Sequence, residues 1–235
     1  MKTMSDLPVI VVTGMAFEAR IARGAGVETV FAARADLLER ALNEAVARGC
    51  SGIVSFGTAG GLAPELTAGT LIVADAVDGP LGRIATDQPW SDLIAAALAA
   101  TPLGARLRRG LQAAVTAPLT GAAAKAALHR ATGALAVDME SHVAGTTAAA
   151  HGMPFAVCRA IVDPAWRTLP PAATAGLRDD GRTALAPILR ELIRQPSQLG
   201  ALLQLASDAR AARKSLVEAR RALGEAGALH PRTTR

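Results

Sequence analysis

The feature that most constrains this chain is an alternation. Short runs that are β-branched or apolar throughout recur along it: "PVIVVTG" (8–14), "VETVFA" (27–32), "GIVSFG" (52–57), "TLIVADAV" (70–77), "LQAAVTA" (111–117), "ALAV" (134–137) and "PFAVCRAIVD" (154–163). Between them lie helical candidates at 35–48, 91–100, 122–131 and 139–151, the last stopped by Gly152-Met153-Pro154. A strand that is apolar on both faces has to be covered on both faces. The expected fold is therefore α/β: one three-layer α/β/α domain around a central mixed, largely parallel sheet. In such sheets ligands gather at the carboxyl ends of the strands, so chemistry is sought there. No internal repeat is visible.

The pattern changes after Pro170-Pro171. A helix over about 181–194 closes the domain, which is read as 1–195, and "QPSQLG" (195–200) marks a joint. In the 196–235 extension, Leu202, Leu205, Ala209, Ala212, Leu216, Ala219 and Leu223 make one apolar stripe on a long helix. Arg210, Arg213, Lys214, Arg220 and Arg221 lie off that stripe, and the final "GALHPRTTR" reads as disordered. Residues 1–177 carry 14 basic and 14 acidic side chains, so the net +5 comes from the 11 basic and 6 acidic residues of 178–235. A helix with these properties has two uses: lying on an anionic membrane through residues 199–223, or packing on its own domain or another subunit. A neutral body, and basic residues without interleaved aromatics, exclude a nucleic-acid role.

The opening "MKTMSDLPVIVVTG" contains no signal peptide, and no apolar run is long enough to span a bilayer. Cys50 and Cys158 sit in apolar company and read as core residues of a protein in a reducing cytoplasm, with a peripheral place at the inner membrane face if the tail docks there. No set of metal ligands or cofactor motif stands out.

Four short stretches could carry chemistry. "SFGTAGGL" (55–62) follows a buried strand, and its glycines would let backbone N–H groups approach a ligand; a plain turn explains them equally well. It is neither a P-loop nor the dinucleotide fingerprint. Glu18 follows the first strand in the first turn of a helix, where the helix dipole alone would favour it. "VDMESH" (137–142) places Asp138 and Glu140 around Met139 where a strand gives way to a helix. "RAIVD" (159–163) ends an apolar strand on Asp163, which could simply cap the next turn.

In their order, these pieces resemble the nucleoside phosphorylase and nucleosidase superfamily, especially its methylthioadenosine/adenosylhomocysteine branch. The resemblance rests on Gly14-x-x-x-Glu18, "GTAGGL", "VADAV", "KAALHRATGALAVDME" and "GMPFAVCRAIVD", from residue 9 to about 163. "VDMESH", "DPAWRTLPPAA" and the segment from "GRTALAPILREL" to "ARKSL" extend it to the hopanoid-associated branch, whose members release adenine from adenosylhopane.

The resemblance implies cleavage of the N-glycosidic bond of an adenosyl compound, adenosylhopane giving adenine and ribosylhopane, with water as nucleophile. The other options are phosphorolysis, a nucleosidase for methylthioadenosine or adenosylhomocysteine, and a catalytically idle nucleoside-binding membrane adaptor. It implies Asp163 as the acid for purine N7, Glu18 as activator of water, Met139 and Glu140 against the ribose, and Gly57, Thr58, Ala59 and Gly60 on the nucleophile's side. It also implies a homo-oligomer and no cofactor, phosphate being a co-substrate only in a phosphorylase. Asp138 falls to structural hydrogen bonding. Val162 stands where the methylthioadenosine branch usually has Ser, and with no Tyr in the chain adenine would rest on aliphatic surface and backbone. Arg20 and Arg23 could hold phosphate, while the charge of Glu18 favours water. "DGPLGRIATDQPW" (78–90) is expected to rim the pocket.

Overall fold

Val9–Thr13 (β1) is five buried β-branched residues in a row, and it takes an inner place in the sheet, between Val27–Phe31 (β2) and the longer Gly52–Gly61 (β3), parallel to both. Successive side chains of a strand point to opposite faces. Val9 and Val11 enter one core with Trp90, Ile94 and Leu98, whereas Ile10 and Val12 enter another with Leu38, Leu42, Ala144 and Ala148. Those partners come from Gln88–Ala99 (α3) on one side and from Ala35–Ala47 (α2) and Ser141–Ala150 (α5) on the other. The three-layer α/β/α arrangement follows from this. The computed structural model describes residues 7–231 except Leu177 and Thr183, and all their side chains but those of Thr174 and Leu185. The reading of the first residues as lacking a signal peptide falls on 1–6 in part, outside that range.

Beyond β1 the sheet curls. Phe155–Asp163 (β8) lies parallel to β3 and antiparallel to Leu71–Gly79 (β4). Leu107–Ala114 (β6) follows β4 in parallel, Ala136–Asp138 (β7) follows β6, and β7 returns antiparallel to Gly60 and Gly61 at the end of β3. Thus β3, β8, β4, β6 and β7 close a ring, from which β1 and β2 extend on one side and Gly82–Ala85 (β5) on the other. Closure needs the glycines: a Cβ on Gly60 would stand 3.3 Å from both Asp163 Oδ2 and Val137 Cγ1. The β3–β8 register shifts between Ala59 and Gly60, a bulge of the kind that re-aims side chains beside functional sites.

The alternation located seven of the eight strands; only the short hairpin strand β5 escaped it. α3 begins at Gln88 rather than 91, because the Asp87 carboxylate accepts from Trp90 N (2.8 Å) and caps a first turn containing Pro89. The remaining helices are Ala16–Ala22 (α1), Ala122–Thr132 (α4), Pro171–Ala175 (α6), Leu185–Arg194 (α7) and Leu199–Glu225 (α8).

The 196–235 segment does not stand apart from the domain. Ala212, Leu216, Ala219 and Leu223 of α8 are fully buried in the same core as Val9, Val11 and Trp90. Ser215 Oγ donates to Gly69 O (2.8 Å) and Arg220 Nε to Ala22 O (2.8 Å). Of the two uses read for the stripe, packing on its own domain is the one seen for Ala212, Leu216, Ala219 and Leu223. Residues 227–231 are not disordered either: Ala228 and Leu229 are buried, and Trp90 Nε1 donates to Ala228 O (3.1 Å). Residues 232–235 lie outside the described range. Among the described residues no helix is long and apolar enough to cross a membrane.

Candidate active site

Asp163, the last residue of β8, is buried against the β3 bulge and faces a hollow of about 580 Å³. The ring of strands brings the other candidates to the same place. Thr58, Ala59 and Gly60 of β3 form one wall; Met139 and Glu140, between β7 and α5, form another. Val115, Pro118 and Leu119 supply an aliphatic surface, and Phe17 is the one aromatic among the described lining residues. The far side comes from elements that sequence reasoning placed away from the site: Ala173 of α6, Ile188 of α7, and Leu202, Leu205, Ala206 and Ala209 of α8. The α8 stripe thus divides its length between cavity wall and core.

Asp138 is structural, as expected, although it also touches the hollow. Its carboxylate accepts from Ser141 N (2.9 Å), Glu140 N (3.2 Å), Gln112 Nε2 (3.2 Å) and the Ser141 hydroxyl, and so fixes the turn from which Met139 and Glu140 project. The cation at the centre of this network is Arg159, fully buried in the middle of β8. Its Nε lies 2.9 Å from Asp138 Oδ2 and its Nη2 3.1 Å from Glu140 Oε2, while Nη2 donates to Ser55 Oγ (2.5 Å) and Nη1 to Thr58 O (3.2 Å).

Glu18 stands just behind the wall rather than on it. Oε2 accepts from Gly14 N (3.1 Å) and Met15 N (3.0 Å), and Oε1 accepts from Thr58 N (2.8 Å) and Thr58 Oγ1 (2.6 Å). Since the Thr58 hydroxyl donates to Glu18, its oxygen lone pairs remain for a donor in the hollow. Gly57 does not line the cavity. Its role is space, because a Cβ there would lie 2.8 Å from Glu18 Cδ and 2.9 Å from Arg159 Nη1. Gly14 serves likewise, its missing Cβ leaving room for the Glu140 carboxylate.

Three carboxylates, Glu18, Asp138 and Glu140, thus surround one guanidinium, and burial dominates the titration of Glu18 and Glu140. It pushes Glu140 up to about 7, against the pull of Arg159 and with the help of Asp138 and Glu18. It raises Glu18 as well, opposed by Arg159 and by the Thr58 and Met15 hydrogen bonds. Asp163 is raised by burial and pulled back by Lys125, whose ammonium contacts Asp163 Oδ2. Burial also drives Cys158 up to about 12, which with its full burial makes it the inert core thiol expected.

The remaining sequence expectations divide. Arg20 and Arg23 are exposed and line a separate cleft with Phe31 and Arg182, on the other side of Met15 and Phe17; they do not reach the nucleoside-sized hollow. No residue of segment 78–90 lines the first hollow; Pro80 lines a second one of about 540 Å³ that meets it at Val115, Pro118 and Met139. That second space is bordered by Arg34, Asp36, His142, Arg178 and Asp179. Sequence reasoning missed Arg159 and Lys125, although each left a signal: a charge inside an apolar strand, and one of only three lysines in the chain, set among alanines.

A layered α/β domain whose acidic residues meet at strand ends around a nucleoside-sized hollow is the architecture of a class, that of nucleoside-cleaving enzymes. Comparison with known proteins identifies the family. Residues 6–194 match the model of the phosphorylase superfamily, and the chain belongs to it. Among curated proteins, a futalosine hydrolase of Streptomyces coelicolor is 37% identical over 157 residues, which is 58% of this chain and 66% of that one. Two solved structures share the fold. The native futalosine hydrolase of Helicobacter pylori superposes with a TM-score of 0.68 at 14% identity, covering 95% of this chain and 99% of that one. The 5′-methylthioadenosine/S-adenosylhomocysteine nucleosidase of the same organism has a TM-score of 0.66 at 16% identity, covering 94% and 98%. The class implied by the motifs, nucleosidases that cleave N-glycosidic bonds, is the class of these relatives.

Proposed function

We propose that the chain hydrolyses the N-glycosidic bond of a purine nucleoside bearing a large apolar 5′ extension, and that this nucleoside is adenosylhopane, giving adenine and ribosylhopane. One observation carries the choice of nucleophile and of substrate together. The hollow is walled by three carboxylates and otherwise by apolar or uncharged residues, with no Lys or Arg among its described lining residues. A phosphate dianion would find no cation in that lining to bind it, since Arg159 is engaged by Asp138 and Glu140. Leu202, Leu205, Ile188 and Ala173 offer hydrocarbon for an apolar tail.

The chemistry follows from the transition state. As C1′–N9 breaks, the sugar becomes oxocarbenium-like and the purine takes the bonding electron pair, so catalysis needs a proton for the base and negative charge near the sugar. In this reading Asp163 gives its proton to N7. Glu140 accepts hydrogen bonds from the ribose hydroxyls with Met139 beneath the ring. A water hydrogen-bonded to Thr58 Oγ1, whose own proton points at Glu18, adds to C1′ and releases a proton toward Glu18. Arg159 keeps Glu18, Asp138 and Glu140 compatible in one buried volume. No cofactor takes part.

The reading includes a homo-oligomer in the cytoplasm, with peripheral contact to the inner face of the membrane. The outer surface of α7 and the first turns of α8 support that contact: Leu189, Ile193, Leu199 and Leu203 are exposed there beside Arg190 and Arg194. A second reading has its own support. The Streptomyces relative and the charged hollow beside Met139, with Arg34 and Arg178, favour a futalosine-type nucleosidase whose substrate extends into that space. Base release from adenosylhopane, futalosine and methylthioadenosine, each with and without phosphate, tests both. Adenine from adenosylhopane in phosphate-free buffer is the expected result; strict phosphate dependence or a preference for futalosine overturns the first reading.

A further inference from the structure

Lys125 is fully buried on α4, yet it makes no contact with the hollow. Its ammonium touches Asp163 Oδ2 and donates to three carbonyls, those of Asp163 (3.3 Å), Pro164 (3.2 Å) and Arg167 (3.0 Å). Oδ1 is the Asp163 oxygen that Lys125 does not hold. A lysine taken wholly out of water is costly unless its charge is matched, and a role confined to tying down a loop would not require it to sit on the carboxylate assigned as the acid.

We infer that Lys125 is a positioning residue for the cleavage step: it clamps one oxygen of Asp163 so that the other faces the purine, and its charge stabilises the carboxylate left when that proton moves to N7. This rests on the hydrolase reading above and deepens it. In the step, the Oδ1–H bond breaks and an N7–H bond forms as the C1′–N9 pair passes to the base. Asp163 is left anionic beside the ammonium, which keeps its own three protons.

The groups that face Asp163 come from several elements. Lys125 approaches from α4 and lowers its affinity for a proton; Asp208 of α8 raises it, although Arg167 Nη2 lies 2.7 Å from Asp208 and blunts that effect. Asp138 and Glu140 share the hollow across from it, and their charge is balanced by Arg159. Lys125 is thus the cation paired with the acid. Burial pulls Asp163 toward holding its proton and Lys125 toward releasing it, the balance an acid working near neutral pH needs.

The test is the pH dependence of kcat/KM for whichever nucleoside the protein cleaves, in Lys125→Met and Lys125→Gln. Loss of an opposite charge in direct contact raises a carboxyl pKa by roughly 1–3 pH units. The limb on which activity falls with rising pH is expected to move up by about that much, while kcat drops by at least about tenfold, a part of what a general acid contributes. A fall in activity or melting temperature with the limb unmoved would reduce Lys125 to a structural tie and overturn the inference. If neither variant folds, ¹⁵N-lysine NMR of the wild type decides. Only Lys2, Lys125 and Lys214 contribute, and Lys214 is exposed. A slowly exchanging ammonium signal that shifts in Asp163→Asn and on binding adenine is expected; a signal indifferent to both refutes the coupling. Absence of base release from every nucleoside would instead refute the hydrolase reading, so the two failures are distinguishable.

Discussion

Replacing Glu140 by Gln removes a charge while keeping shape and size, and the structure gives the change a definite signature in pH. In the folded protein the Glu140 carboxyl is pushed up to about 7, against 4.5 for the ordinary group. Between those two values the unfolded chain has lost this proton and the folded chain still binds it. Stability therefore falls as pH rises through that window, is unaffected by this group below about 4.5, and carries the full cost above about 7. At about 1.36 kcal/mol per pH unit, the gap is worth about 3 kcal/mol. Gln carries none of it.

Urea unfolding of wild type and Glu140→Gln at pH 5 and pH 8 measures this, because titrations outside the Glu18, Asp138 and Arg159 network cancel in the comparison. The variant is expected to gain on the wild type by up to about 3 kcal/mol between the two conditions. Since Glu140 is also assigned to the ribose hydroxyls, kcat/KM should fall and lose the rise through pH 7 that ionisation of Glu140 imposes. An unchanged stability difference at the two pH values would show that Glu140 is charged throughout. The picture of three buried carboxylates crowding one arginine would then be wrong.

Asp163→Asn should lower turnover by about 10²–10⁴-fold, the range of general acid catalysis, and cost up to about 3–5 kcal/mol by leaving Lys125 without its counter-charge; normal turnover would refute the assigned acid. Arg159→Met should destabilise by a similar 3–5 kcal/mol or abolish folding, since Glu18, Asp138 and Glu140 lose their one cation, and a melt within a degree or two of wild type would contradict the network. Leu205→Gln should raise KM for adenosylhopane well above its effect on methylthioadenosine if α8 holds the apolar extension. Equal effects on both substrates would remove that role.

The fold was legible because its constraint is local. A run such as Val9–Thr13 has no exposed face, and seven strands of that kind between helices leave few arrangements. The curling of the sheet into a ring was not legible, since it depends on Gly60 and Gly61 meeting a strand 77 and 75 residues further on, at Val137 and Ala136. At the site, Asp163 was visible because it ends a strand, Met139 and Glu140 because they lie where a strand gives way to a helix, and Thr58 because it follows the apolar run 52–57, although β3 continues to Gly61. Lys125 and Arg159 lie inside elements, where a charged residue announces only that it needs a partner, without saying which. Glu18 lies next to the hollow, but that Thr58 stands between the two is a matter of packing.

The hardest feature to read was the tail, and the structure makes its role testable. An amphipathic helix after a Pro-containing joint looks the same in sequence whether its stripe meets lipid, a second subunit or its own domain. Here Ala212, Leu216, Ala219 and Leu223 are fully buried in the core that also holds Trp90. The two leucines alone, at about 1.5–3 kcal/mol each, contribute about 3–6 kcal/mol. Domains of this kind are stable by only about 5–15 kcal/mol in total. A chain ending at residue 198 is therefore expected to lose cooperative thermal unfolding by circular dichroism, and not merely affinity for lipid or substrate. A truncated protein that melted like the full chain would return α8 to the status of an appendage, and would take Leu202 and Leu205 out of the cavity wall with it.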